Sequence, residues 1–158
     1  MLYPETVRIH VLEKAVVLAL PIKDQFALVN EDGVVVAIVP ELPAPLLKVI
    51  IKQEDNTVVD TIYRNQQLFS PEQVLYAIVG KEHIEQKVGF AVTEATWYPM
   101  RKEFHLRTDQ GFDVWLDSDL TVDTQVGKLT TIYGQIQKDL KTIKYIDLRI
   151  PEKVFVGK

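Results

Sequence analysis

The stretch of sequence that decides the fold is the last one in the chain, Tyr145-Ile146-Asp147-Leu148-Arg149-Ile150-Pro151-Glu152-Lys153-Val154-Phe155-Val156. Every second residue from 146 to 150 is apolar, which predicts a strand with one buried face. Pro151 has no N–H to donate, so it interrupts this strand before a second short apolar run. A strand that ends in this way is expected to leave an open sheet edge, and open edges are either protected or used for pairing. We interpret this edge as a binding edge.

Composition excludes several classes of function. The 158 residues suffice for one domain with its own core, and the absence of cysteine excludes thiolate zinc sites and thiol catalysis. A net charge of -4 with interspersed signs offers no basic surface for nucleic acid. No apolar run approaches the ~20 residues of a membrane-spanning helix, and no secretory signal pattern opens the chain. The sequence therefore predicts a soluble chain without a nucleic-acid partner.

The first half of the sequence reads mainly as strands. Alternation predicts a strand over residues 6–11, and the apolar run 15–20 predicts a buried one. Residues 25–29 and 34–39 flank Asn30-Glu31-Asp32-Gly33, the pattern of a hairpin. Three prolines within residues 40–45 predict an extended connector, and residues 46–59 are ambiguous.

The second half adds two helices. Ser70, Pro71 and Gln73 form a capping box that starts the first, and Gly80 weakens its middle enough to allow a break. Strands are predicted at 88–97, 103–108 and 112–116. The second helix carries apolar residues at helical spacing from Val126 to Leu140, with Thr121 or Asp119 as its cap. This order predicts an α+β fold, a mainly antiparallel twisted sheet with about two helices packed on one face.

Catalytic groups are sparse. His10, His83 and His105 are far apart in sequence and are expected to face solvent. Asp117, Ser118, Asp119 and Asp123 lack the pattern of a calcium loop and are expected to cap the helix that follows. Trp115 is expected in the core, whereas Trp97 and Tyr98 are expected at a partly exposed strand end.

With these elements placed, the chain resembles the extracytoplasmic part of the FtsQ/DivIB cell-division proteins. The most specific match is Asp147-Leu148-Arg149 in its strand, followed by Pro151 and residues 154–156. The hairpin over 26–35, Leu42-Pro43, and the order strand, glycine turn, strand, amphipathic helix over 103–140 also match. Residues 3–14 resemble the last strand of the small POTRA domain that precedes the β domain in this family.

The resemblance implies a domain division and a role. Residues 1–14 would be the terminal strand of a truncated POTRA-like domain, and 15–158 the β domain. The family's membrane helix is absent from this chain, which is therefore expected to be a fragment. The implied protein is a non-enzymatic divisome scaffold in septum formation, without cofactor or metal. It is anchored by one helix at the extracytoplasmic face of the bacterial plasma membrane, at the division septum.

The resemblance also implies the partners, which are FtsB/DivIC-type and FtsL-type coiled-coil division proteins that add a strand to the C-terminal edge. Backbone pairing is blind to sequence, so side chains must supply selectivity. Arg149 is suited to clamp an acidic partner residue, and Lys153 favours an acidic partner over self-pairing. The predicted partner-binding residues are Tyr145, Asp147, Arg149, Lys153, Val154, Phe155 and Val156.

Alternatives stay open at this point. Asp147 and Arg149 could pair with each other along the strand while Phe155 packs into the core. An uncharacterised enzyme predicts a cleft that collects His105, Glu103 or the acids of residues 117–123. An extracytoplasmic secretion-type or solute-binding module with a POTRA-like end predicts an apolar groove elsewhere on the sheet.

Overall fold

A nine-stranded β-sheet runs through the computed structural model, which describes residues 14–42 and 45–158. The predicted strand at 6–11 and His10 lie outside the described residues. The order of the strands across the sheet is β3-β2-β1-β4-β5-β6-β7-β8-β9. Their bounds are β1 Val16–Ile22, β2 Gln25–Asn30, β3 Val35–Val39, β4 Leu47–Ile51, β5 Val92–Tyr98, β6 Glu103–Thr108, β7 Asp113–Asp117, β8 Tyr145–Asp147 and β9 Phe155–Gly157. The described helices are α1 Pro71–Val88 and α2 Val122–Ile136, with a short 3-10 helix at Leu140–Thr142.

The sheet is mixed, so the prediction of a mainly antiparallel sheet was wrong, although the α+β class is confirmed. The pairs β1–β4, β4–β5 and β7–β8 are parallel. Parallel neighbours need a long crossover connection, and the chain supplies one each time. Along the chain, the β2–β3 hairpin connects β1 to β4, α1 connects β4 to β5, and α2 connects β7 to β8.

The predicted hairpin and its turn are confirmed. Gly33 N–H donates to the Asn30 carbonyl at 2.9 Å, and Asn30 Oδ1 accepts from Val34 N–H at 3.0 Å. Gly33 has φ 81°, a left-handed conformation that glycine adopts without steric cost. Asn30 therefore accepts hydrogen bonds from N–H groups of the turn that have no partner in the β-ladder.

Helix α1 begins where the capping box predicts. Ser70 Oγ accepts from Gln73 N–H, and the Gln73 side chain accepts from Ser70 N–H at 2.9 Å. Gly80 does not break the helix, contrary to the expectation. A Cβ at Gly80 would lie 3.2 Å from Leu106 and 3.3 Å from Leu116, so glycine permits α1 to approach the sheet closely.

Helix α2 packs beside α1 through a buried polar junction. Gln125, fully buried, donates to the Tyr76 hydroxyl at 2.7 Å and accepts from Asp117 N–H at 2.8 Å. Tyr76 in turn donates to the Asp117 carbonyl at 2.6 Å. Burial is the main cause that raises the pKa of Tyr76 well above its ordinary value, so the hydroxyl remains a donor. This junction joins α1, α2 and the end of β7 on one face of the sheet.

The core lies between the helices and this face. Phe104, Leu106, Val114 and Leu116 point toward the helices and are fully buried. Trp97 joins them, 2 % exposed and 4.3 Å from the ring of Phe104. Trp115 instead lies half-buried on the opposite face, in a strand whose residues 114 and 116 face the helices. The expected placements of the two tryptophans were therefore reversed, because strand alternation decides them and the apolar character of their neighbours does not.

Two strand boundaries also differ from the prediction. Val88 ends α1, and β5 starts at Val92. Strand β8 ends at Asp147, three residues before the predicted end. Asp147 Oδ1 accepts from Arg149 N–H at 3.0 Å, so the side chain takes the place of a ladder partner and turns the backbone away.

Candidate partner-binding edge

The C-terminal end of the sheet consists of a short strand pair. Strand β8 lies between β7 and β9, and β9 is the last strand in the sheet order. The antiparallel register pairs Tyr145 with Gly157, Ile146 with Val156, and Asp147 with Phe155. The predicted binding strand around Tyr145 is thus an inner strand, and the outermost main chain belongs to residues 155–157.

Apolar side chains are exposed along this edge. Phe155 is 49 % exposed, so the alternative that it packs into the core is wrong. Val156 is 36 % exposed and shares the helix face with its partner Ile146, while Phe155 shares the opposite face with Asp147. Val154 packs against the core from the helix side. The edge therefore offers one apolar contact on each face.

Four rings form a row across the face that the helices leave open, in which three are stacked and Tyr98 is tilted against its neighbour. Tyr98 and His105 have ring centroids 4.6 Å apart, His105 and Trp115 4.5 Å, and Trp115 and Tyr145 4.0 Å. The row crosses β5 to β8 and ends over Gly157 of β9. A Cβ at Gly157 would lie 2.2 Å from the Tyr145 ring, so only glycine fits beneath it. Cross-strand ring pairs of this kind stabilise a sheet and fix its register.

Arg149 points inward, toward the ring row. Its guanidinium forms a two-pronged pair with Asp147, at 2.9 Å and 2.7 Å, and a further ion pair with Glu103 of β6. It also lies 5.0 Å above the ring of Trp115. Both carboxylates are mostly buried, with side chains 10 % and 12 % exposed. The pairing of Asp147 with Arg149, one of the alternatives above, is therefore present.

These contacts shift the pKa values of Asp147 and Arg149 in opposite directions. Burial alone would raise the pKa of Asp147, but the hydrogen bonds from Arg149 outweigh it and the pKa is lowered. The hydrogen bonds that Arg149 donates to Asp147 are the main cause that raises the pKa of Arg149. Asp147 and Arg149 are thus a charged, mutually paired unit at neutral pH.

His105 is not solvent-facing, contrary to the expectation, since its side chain is 11 % exposed. Burial lowers its pKa from 6.5 to about 4, even though Glu103 lies 3.2 Å away and favours the charged form. His105 is therefore neutral in the folded protein at neutral pH, with its ring held between two aromatic neighbours.

We expect His105 to make stability depend on pH between about 6.5 and 4. Below pH 6.5 the unfolded chain binds a proton that the folded ring accepts only near pH 4, so falling pH favours unfolding. The total loss over this window is about 3 kcal/mol. Urea denaturation of the wild type and His105→Gln at several pH values measures it. If the free energy of unfolding fell equally with pH in both proteins, His105 would not be the group responsible.

The structure brings together part of the group that the enzyme alternative requires. His105 and Glu103 lie side by side and Asp117 is opposite Glu103 in the β6–β7 register, whereas Asp119 pairs with Lys102 and Asp123 with Lys87. Within residues 14–42 and 45–158, no group of three His, Asp or Glu could hold a metal ion. Apolar grooves do exist, one of about 250 Å³ between α1 and α2 and one of about 280 Å³ between α1 and the β1–β4 part of the sheet.

Charge is distributed unevenly along the chain. Residues 138–158 contain six basic and three acidic residues, a net +3, whereas residues 1–137 contain 12 basic and 19 acidic ones, a net -7. Lys141, Lys144, Lys153 and Lys158 are all exposed around β8 and β9. The edge is therefore the basic end of an acidic molecule.

The fold defines an α+β domain with a mixed sheet in which, among the described residues, the edge strand β9 pairs with β8 alone. The family model described as "Cell division protein FtsQ/DivIB, C-terminal" matches residues 19–149. The chain belongs to this family, which confirms the resemblance and places it among cell-division proteins. Comparison with curated proteins finds no match.

Neither described helix has the length and apolar character needed to cross a membrane. The sequence reasoning missed two parts of the site, the ring row and the role of Gly157. The sequence contains these aromatic residues, but their alignment in a row depends on the register of four strands. That register could not be predicted from the sequence.

Proposed function

We propose that this domain is a non-enzymatic scaffold of the bacterial divisome, which binds FtsB/DivIC-type and FtsL-type coiled-coil proteins by strand addition at β9. The observation that carries the proposal is the edge itself, where Phe155 and Val156 are exposed on a strand that has one neighbour within the part of the chain that the structure describes. Family membership supports the role in cell division. We also propose that residues 1–14 end a POTRA-like domain of a longer protein, anchored at the extracytoplasmic face of the septal membrane.

Backbone pairing alone is too weak to account for binding. Alternate residues of a strand point their N–H and C=O groups to opposite sides, so in β9 Val156 faces the open edge while Phe155 and Gly157 face β8. Two hydrogen bonds to Val156 at about 0.5–1.5 kcal/mol each supply about 2 kcal/mol, short of millimolar affinity. Side chains must therefore contribute. Phe155 and Val156 offer apolar area on the two faces of β9, and the ring of Tyr145 lies over Gly157 of the same strand.

The basic surroundings favour an acidic partner. Exposed lysines at 141, 144, 153 and 158 flank both ends of β9. Such a surface raises the rate of encounter with an acidic segment and also discourages two copies of β9 from pairing. Asp147 and Glu103 accept from three of the five N–H donors of Arg149, so we propose that Arg149 supports the edge mainly by holding these carboxylates. We therefore propose Lys153 and its neighbouring lysines as the charged contacts.

Phe155→Asp is expected to weaken binding about tenfold, because it removes an exposed apolar contact and adds a negative charge beside an acidic partner. The measurement is calorimetry with the extracytoplasmic segment of the FtsB/DivIC-type protein from the same genome. Tyr63→Asp is the matched control, since Tyr63 is 67 % exposed and far along the chain from the edge.

The thermal midpoint of both variants should stay close to that of the wild type, because neither side chain is buried. Raising the ionic strength should weaken the wild-type complex, because exposed charges are screened beyond about 8 Å at 0.15 M salt. Equal affinities for Phe155→Asp, Tyr63→Asp and the wild type would show that β9 does not contact the partner.

A further inference from the structure

The connection between β8 and β9 carries main-chain carbonyls that no strand satisfies. It contains a tight turn in which Lys153 N–H donates to the Ile150 carbonyl at 3.3 Å. Pro151 and Glu152 are the central residues, and Glu152 has φ 59°, a conformation that costs a non-glycine residue free energy. A turn of this kind needs support from its surroundings to persist.

Lys128 of α2 supplies that support. Its ammonium donates to the carbonyls of Leu148, Ile150 and Lys153, with distances of 2.8 Å to Ile150 and 3.4 Å to Lys153. An ammonium has three N–H donors, so the three carbonyls use all of them. Burial lowers the pKa of Lys128, while the nearby Asp147 carboxylate opposes this effect.

Few other contacts hold β9 in place. It pairs with β8 over three residues only, and two-stranded pairs of this length are marginal on their own. Lys144 N–H donates to the Gly157 carbonyl at 2.8 Å, and the Lys158–Asp139 ion pair is exposed on both sides. An exposed pair contributes little. The connection held by Lys128 is therefore a main constraint on where β9 lies.

We propose that Lys128 is a positioning residue for the docking edge, whose ammonium fixes the β8–β9 connection and so holds β9 in the register that accepts a partner strand. This inference rests on the proposed function of β9. It assigns a role in binding to a residue of α2 that does not belong to the edge strand.

Lys128→Met tests the inference, because methionine keeps the apolar stem and removes the three donors. In the free domain, hydrogen exchange of the amides of Phe155 and Gly157, which face Asp147 and Tyr145 of β8, should become at least tenfold faster. Exchange in β6 and β7, which belong to the core, should not change. Affinity for the FtsB/DivIC-type segment should fall about tenfold.

Two further variants serve as controls. Lys48→Met removes the same charge from an exposed position of β4, far from β9 in the sheet order, and should leave both exchange and affinity unchanged. Lys128→Arg restores donors and charge and should recover part of the protection and of the affinity. If Lys128→Met fails to fold, Lys128→Gln keeps two donors and allows the same comparison.

The outcomes separate the two claims. Unchanged exchange of Phe155 and Gly157 in Lys128→Met would overturn the inference, as would faster exchange with unaltered affinity. A wild-type domain that binds neither an FtsB/DivIC-type nor an FtsL-type segment would overturn the proposed function and with it the docking role of Lys128. The exchange measurements on the free domain would then still show whether Lys128 orders β9.

Discussion

Arg149→Met is expected to lower the free energy of unfolding by about 3 kcal/mol. The substitution leaves the carboxylates of Asp147 and Glu103 mostly buried without their shared cation, and removing one partner of a buried ion pair is strongly destabilising. Because the Arg149 side chain is itself 24 % exposed, we take the lower end of the range for buried pairs. Urea denaturation at neutral pH measures the loss.

Arg107→Met provides the matched control. Arg107 pairs with Asp113, but its side chain is 49 % exposed, so the loss there should stay below about 1 kcal/mol. The difference between the wild type and Arg149→Met should shrink in acid. The lowered pKa of Asp147 stabilises the folded state at neutral pH, and that stabilisation is lost as pH falls through the folded value. Equal losses for the two arginines would contradict the buried-cluster interpretation.

Gly157→Val is expected to weaken partner binding about a hundredfold. A side chain at this position collides with the Tyr145 ring, which is stacked 4.0 Å from Trp115, so we expect β9 to move away from β8 and the proposed docking edge to be lost. Losing the two hydrogen bonds to Val156 and the apolar contacts of Phe155 and Val156 costs roughly 3 kcal/mol, which corresponds to this factor. Calorimetry with the FtsB/DivIC-type segment gives the affinity, and hydrogen exchange at positions 155 and 157 reports detachment of the strand.

Two controls make the Gly157 result specific. Gly134→Val changes a helical glycine with open space around it and should leave binding unaltered. Tyr145→Ala combined with Gly157→Val removes the obstructing ring and should recover part of the affinity lost in Gly157→Val alone. A double variant that binds as poorly as Gly157→Val would show that the ring contact is not the cause.

Local signals in the sequence predicted much of the fold. The capping box at Ser70 and the turn at Gly33 depend on residues three or four apart, and both were placed correctly. The parallel pairs were not predicted because their strands are distant in sequence; β4 and β5, for example, are separated along the chain by all of α1. Nothing in the sequence of either strand specifies its neighbour. Trp97 and Trp115 were misplaced for a related reason, since the face of a strand depends on its exact start.

The proposed binding residues also divide into those that local sequence places and those that it does not. Phe155 and Val156 lie on opposite faces of β9, as successive residues of a strand do. The inward turn of Arg149 toward Glu103 could not be predicted, because those residues meet only when β6, β7 and β8 lie in order. Lys128 contacts the β8–β9 connection for the same reason, across 20 or more positions of sequence.

The position of β9 in the sheet has a consequence for biosynthesis. Among the described residues it is the last of the nine strands along the sequence and pairs with β8 alone, and β8 in turn requires β7 and the crossover of α2. Domains emerge from the ribosome N-terminal end first, so this surface is assembled after the eight strands that precede it. A nascent chain arrested before residue 155 lacks β9, and we therefore expect the proposed recruitment through this edge to begin only once residues 155–157 have been made.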